Sequence, residues 1–126
     1  MILILGGTTE GRIAANVCEE AGKPFYYSTK AWQQDISCPH AMQITGGMDE
    51  AELEKFCVQN AIMLLVDAAH PFAGNLHKNV AAVSEKLRIP VLRLERTYTQ
   101  EVISNVIWLN SYNEAIGWLT SHNITK

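Results

Sequence analysis

The opening dozen residues, Met1-Ile-Leu-Ile-Leu-Gly-Gly-Thr-Thr-Glu-Gly-Arg12, constrain the fold more than any other stretch of the chain. Ile2 to Leu5 run without a polar break, the pattern of a strand buried on both faces of a parallel sheet. Gly6 and Gly7 end that run, and Ile13, Val17, Cys18 and Ala21 follow at i, i+4, i+5 and i+8, an apolar stripe at helical spacing. A strand, a glycine turn and an immediate helix form the opening unit of nucleotide-binding α/β folds. There the N–H groups and dipole of the helix N-terminus attract a phosphate.

The glycine spacing departs from both familiar phosphate loops. In the dinucleotide pattern G-x-G-x-x-G, Gly6 and Gly11 fill the first and third places, but Thr8 holds the middle one and Gly7 is additional. In a Walker A loop the residues after Gly11 would be Lys and Ser or Thr; here they are Arg12 and Ile13. Thr8 or Thr9 can cap the helix and offer a hydroxyl to a phosphate oxygen. Glu10 suits the dipole but repels a phosphate, and Arg12 can offset it.

A chain of 126 residues has room for one domain. A net charge of −3 argues against a general nucleic-acid binder, which needs a basic face. No run of 18 apolar residues occurs and Met1 leads straight into a strand, so neither a membrane span nor a secretory signal is expected. Cys18, Cys38 and Cys57 are odd in number and form no C-x-x-C pair, which reads as reduced, cytoplasmic thiols. His40 near Cys38 adds too few ligands for a metal site.

Further along, strand and helix patterns alternate. The first helix ends near Gly22, and Phe25–Thr29 reads as a second strand. Residues 31–40, with Pro39, read as a loop or short helix, and Ala41–Thr45 as a third strand closed by Gly46-Gly47. Residues 49–59 are helical, with Leu53, Phe56 and Cys57 on one side; 62–66 form a fourth strand. Pro71 is expected at the first position of the longest helix, which runs over 72–87. Residues 90–95 and 106–109 are a fifth and sixth strand, and 112–121 a last helix. This alternation predicts an α/β fold: a doubly wound, mostly parallel, Rossmann-like sheet with ligands at the C-terminal strand ends.

Those ends collect the polar residues: Gly6, Gly7, Thr8 and Thr9; Ser28, Thr29 and Lys30; Gly46 and Gly47; Asp67 and His70; Arg93, Glu95 and Arg96. An Asp or Glu at the end of the second strand would favour NAD, but Ser28, Thr29 and Lys30 stand there. Hydroxyls beside a cation favour NADP, although Lys30 can equally be a solvated charge. Asp67 ends an apolar strand and needs partners to stay ionised; it can bond nearby N–H groups of its own turn. His70 can bond a ligand carboxylate or move a proton. Arg93 and Glu95 interrupt an inner-strand pattern, so that strand lies at the sheet edge or faces a cleft, and the two can simply pair.

Five segments occur in one order: Ile4-Leu-Gly-Gly-Thr-Thr-Glu-Gly-Arg12, Gly46-Gly47, Asp67-Ala-Ala-His-Pro-Phe-Ala73, Asn79 and Pro90-Val-Leu-Arg-Leu-Glu-Arg96. Together they resemble the N-terminal half of the precorrin-6A reductase family of cobalamin (vitamin B12) biosynthesis. The resemblance implies reduction of one double bond of an anionic tetrapyrrole by NADPH or NADH, in a cleft between two α/β domains of which the second is missing here. A chain of this length is then expected to be inactive alone. Ala69 stands where the family usually has Thr or Ser, and His77 where a Ser is common, so hydroxyl contacts from those positions are not expected. On this reading Gly6, Gly7, Thr8, Thr9, Gly11, Arg12, Ser28, Thr29, Lys30, Gly46 and Gly47 serve the cofactor. Asp67, His70, Asn79, Arg93 and Arg96 face the cofactor–substrate cleft, with His70 as candidate proton donor. A non-catalytic or truncated dinucleotide-binding module is the alternative. An unrelated Rossmann-type epimerase or dehydrogenase is a third reading; such enzymes usually carry a Tyr-x-x-x-Lys pair, which this chain is expected to lack.

Overall fold

The computed structural model describes residues 1–95 and 109–122. The chain divides into two compact units, Met1–Arg96 and Thr97–Lys126. In the first, β1 (Ile2–Leu5), α1 (Thr9–Glu20), β2 (Phe25–Thr29), β3 (Ala41–Thr45), α2 (Glu50–Gln59), β4 (Leu64–Asp67), α3 (Gly74–Leu87) and β5 (Val91–Arg93) follow one another. The five strands are all parallel, in the order β3-β2-β1-β4-β5. β1 is central: Leu5 lies level with Ser28 of β2 and Asp67 of β4, so their C-terminal ends share one rim.

Alternation along the strands makes two cores, one per face. Leu3, Leu5 and Leu65 pack with Leu53 and Cys57 of α2 and with Val80 and Val83 of α3. Ile4, Phe25, Tyr27 and Val66 pack with Ala14 and Ala15 of α1. Helices on both faces explain why β1 and β4 carry continuous apolar runs, and the doubly wound fold expected from the sequence is the fold observed.

Helix starts follow local chemistry. Thr8 caps α1 through its side chain, which accepts from Gly11 N–H at 3.0 Å. Asp49 caps α2 in a reciprocal capping box with Glu52.

Several boundaries and faces differ from expectation. α3 begins at Gly74, not at Pro71. His70 to Ala73 form a turn closed by Ala73 N–H to His70 C=O at 2.9 Å, so the fixed φ of Pro71 serves that turn's second position. On α1 the stripe is displaced: Ile13 is 56% and Val17 61% exposed, while Ala14 and Ala15 are buried. The glycine turn brings α1 so close to the sheet that only small residues fit beneath it. β4 spans 64–67 rather than 62–66, and β5 only 91–93 of the expected 90–95. Among the described strands, β5 lies at the end of the sheet order.

In the second unit, α4 (Tyr112–Ser121) is capped by Ser111, whose side chain accepts from Glu114 N–H. The expected sixth strand lies, apart from Leu109, outside the described residues. No helix among the described residues is long and apolar enough to cross a membrane.

Candidate functional site

A cavity of about 920 Å³ opens at the C-terminal rim of the sheet, within the first unit. That is at the large end of the range of about 300–1,000 Å³ for small-molecule sites. Of the residues the sequence singled out, Gly6, Gly7, Thr8, Arg12, Ser28, Thr29, Lys30, Gly46, Gly47, His70 and Asn79 line it. Thr9, Gly11, Asp67 and Arg93 do not, and Arg96 lies outside the described residues.

The floor is the β1–α1 turn, and Tyr27 shapes it. A Cβ on Gly6 would come within 2.2 Å of the Tyr27 ring, and one on Gly11 within 2.7 Å of its hydroxyl. Gly7 sits at φ +95°, a conformation that favours glycine. Gly6 N–H donates to Ser28 C=O at 2.8 Å, and Gly7 N–H to Tyr27 Oη at 3.2 Å. The Tyr27 hydroxyl in turn donates to Gln34 Oε1, and Gln34 Nε2 to Thr8 C=O at 3.2 Å. Burial pushes the Tyr27 phenol up, only partly offset by Gly7 N–H and the Arg12 charge, which keeps the phenol protonated and able to donate.

These bonds redistribute the expected roles. Gly7 N–H is occupied by Tyr27. The Thr8 hydroxyl accepts from Gly11 N–H and donates to Ala68 C=O at 2.5 Å, tying the turn to the loop after β4. The Thr8 and Thr9 N–H groups have no partner among the described residues. They stand at the positive end of α1, with the exposed cations Arg12 and Lys30 on the cavity wall.

Residues 31–40 form no helix; they fold over β2 as a loop, and Trp32, Gln33, Gln34 and Asp35 line the cavity. Thr29 Oγ1 holds this loop by donating to Trp32 C=O. Trp32 itself is 82% exposed. No apolar periodicity marks this stretch, so no local pattern places these residues at the site. Gly46 N–H, donating to Thr29 and Lys30 C=O at 3.0 Å each, closes the adjacent wall.

The opposite wall is the 68–73 loop and the start of α3. Asp67 lies beneath it, 2% exposed, with Oδ1 accepting from Ala69 N–H at 3.3 Å and Oδ2 at 2.5 Å from His77 Nδ1. The bonding of Asp67 to its own turn is as expected; its partnership with His77 was missed, because the two are ten residues apart and on different elements. His70 Nδ1 accepts from Phe72 N–H at 3.2 Å, so the neutral ring carries its proton on Nε2. The Phe72 ring lies tilted by 47° to the His70 ring with centroids 5.2 Å apart, and Phe72 also lines the cavity. Arg93 pairs with Glu95 through Nη2–Oε1 at 2.6 Å, both about half exposed.

The expected absence of a Tyr-x-x-x-Lys spacing is corrected by Tyr26 and Lys30, which have it. Tyr26 lies in β2 and its hydroxyl donates at 2.9 Å to Asn60, the C-cap of α2, whereas Lys30 lines the cavity. The hydroxyl is therefore engaged away from Lys30. Among the described residues no cluster of three or more His, Cys, Asp or Glu is arranged for a metal.

A family model described as Precorrin-6x reductase CbiJ/CobK matches residues 1–125. A cobalt-precorrin-6A reductase of Methanocaldococcus jannaschii is 32% identical over 117 residues, 90% of this chain and 47% of that protein. One from Priestia megaterium is 28% identical over 118 residues, 91% of this chain and 46% of that protein. The solved structure of a CobK precorrin-6A reductase superposes with a TM-score of 0.76 at 23% identity, covering 92% of this chain and 46% of that one, which supports the fold. The chain thus spans about half the length of the curated relatives it matches.

Proposed function

Since the chain belongs to the precorrin-6x reductase family, we propose that it is the cofactor-binding half of a reductase that uses a reduced nicotinamide to saturate one double bond of a precorrin-6A-type tetrapyrrole. The observation that carries this reading is the single cavity in which the glycine turn, Lys30, the Gly46-Gly47 wall and His70 meet. Its chemistry fits a dinucleotide: unpartnered helix N–H groups and two cations for phosphates, beside exposed aromatic surface from Trp32 and Phe72. When bound, the cofactor supplies the hydride; the protein's share is to hold it, exclude water and place the acceptor.

In this proposal the Thr8 N–H group and Arg12 take the pyrophosphate, and Gly6 and Gly7 let the backbone approach it. Lys30, beside Ser28 and Thr29, takes a 2′-phosphate, which makes NADPH the preferred cofactor over NADH. His70 and Asn79 face the macrocycle, and His70 offers Nε2–H to one of its carboxylates. Proton delivery from His70 first requires a second proton at Nδ1, at the expense of the Phe72 bond. A second domain would close the cleft, so the chain alone binds cofactor without turnover, while Arg93 is released from Glu95 only if substrate recruits it.

Calorimetric titration with NADPH and NADH tests this. Binding of NADPH is expected, with Lys30→Ala narrowing its advantage over NADH; no binding of either would remove the assignment. In a two-domain enzyme containing this sequence, His70→Ala should lower turnover strongly. Equal turnover would take His70 out of the chemistry.

A further inference from the structure

The Asp67–His77 pair stands behind the cavity wall and has no part in the reaction as proposed. His77 lies in the first turns of α3, its side chain 9% exposed, with Nδ1 2.5 Å from Asp67 Oδ2 and Nε2 2.9 Å from the backbone oxygen of His70. An ionised carboxylate and a carbonyl are both acceptors, so with Asp67 ionised both bonds form only when both ring nitrogens carry protons. With a single ring proton, one nitrogen lone pair would face an oxygen lone pair at hydrogen-bond distance. Transferring a proton to Asp67 leaves the total number of protons on the pair unchanged. The buried carboxylate also needs a cationic partner to remain ionised at low cost. The titratable groups that hydrogen bonding sets against this ring are Asp67 from β4 and, through its backbone, His70.

We propose that His77 is a positioning residue: held as an imidazolium between Asp67 and the His70 carbonyl, it fixes the 68–73 turn and thereby the direction in which His70 presents Nε2–H to the ligand. α3 has no side-chain cap of its own, since Ala73 occupies that place. His77 instead ties the helix to the turn before it: the His70 carbonyl accepts both from its ring and from Ala73 N–H. The same turn receives the Thr8 hydroxyl at Ala68, so His77 locks the far side of a wall whose near side is fixed by the glycine turn. The proposal rests on reading the cavity as the ligand site.

Nitrogen-15 NMR of the histidine side chains in this chain tests it directly. Both His77 nitrogens should be protonated at pH 7, with His70 a single Nε2–H tautomer. Raising the pH until His77 loses a proton should release the His70 tautomer in the same step. In His77→Gln, with an unchanged far-UV spectrum, His70 should become a tautomer mixture. A bare lone pair on either His77 nitrogen at pH 7, or a His70 tautomer indifferent to His77, overturns the proposal. If the variant does not fold, the wild-type titration still decides it. Lack of NADPH binding by the wild-type chain overturns the proposed function alone, and the spectra still decide the role of His77.

Discussion

At the scale of single residues, Tyr27 explains more of the site than any glycine. Its ring fills the space that a Cβ on Gly6 would need, and its hydroxyl joins Gly7 to Gln34. Gly6→Ala should therefore cost about 3 kcal/mol by overpacking, read as a lower denaturation midpoint. Tyr27→Phe keeps the ring but strands Gly7 N–H and Gln34, and should cost about 1–3 kcal/mol. Cys57 gives a pH prediction. Burial pushes its thiol up from the ordinary 9.0 to about 11. The folded state therefore favours the neutral thiol, and the resulting stability is complete below pH 9 and lost as pH rises through about 11. A two-unit displacement corresponds to about 2.7 kcal/mol. The difference in stability between wild type and Cys57→Val should shift by an amount of that order between pH 8.5 and 11, and a flat difference would contradict it. The glycines were legible from their spacing, whereas the partner that makes them necessary, Tyr27, read only as one more strand residue.

Elements were legible where one physical signal dominated. The unbroken apolar runs placed β1 and β4 on the buried strands, and the acidic start of α2 proved to be a capping box at Asp49 and Glu52. Asp49→Ala should cost about 1 kcal/mol in thermal unfolding. α1 misled because its larger apolar residues face away from the sheet. Val17→Ala should thus lie within about 0.5 kcal/mol of wild type. Ala15→Leu, at a fully buried position, should cost about 1–3 kcal/mol, reversing the order that residue size alone would suggest. The start of α3 was misplaced because Pro suits the first position of a helix and the second of a turn equally well. The hydrogen bond from Ala73 to His70 decides between them, and no local pattern encodes it.

For the molecule as a whole, the parallel order β3-β2-β1-β4-β5 carries the loops after β1, β2, β3 and β4 to one cavity. Eleven of the residues that the sequence singles out therefore line that cavity. What escaped was contributed by irregular backbone, Trp32 to Asp35, and by contacts between distant segments such as Asp67 with His77. If the cavity holds the cofactor, NADPH at a hundred times its dissociation constant should raise stability by about 2.7 kcal/mol, visible as a higher melting temperature. The Thr8 hydroxyl, bound to Ala68 sixty residues away, has one more consequence. Two stretches of chain that are remote in sequence are buckled into one cooperative patch. In deuterated solvent, the amide protons of Gly11 and Ala69 should exchange through a common opening event. Thr8→Val should uncouple their rates.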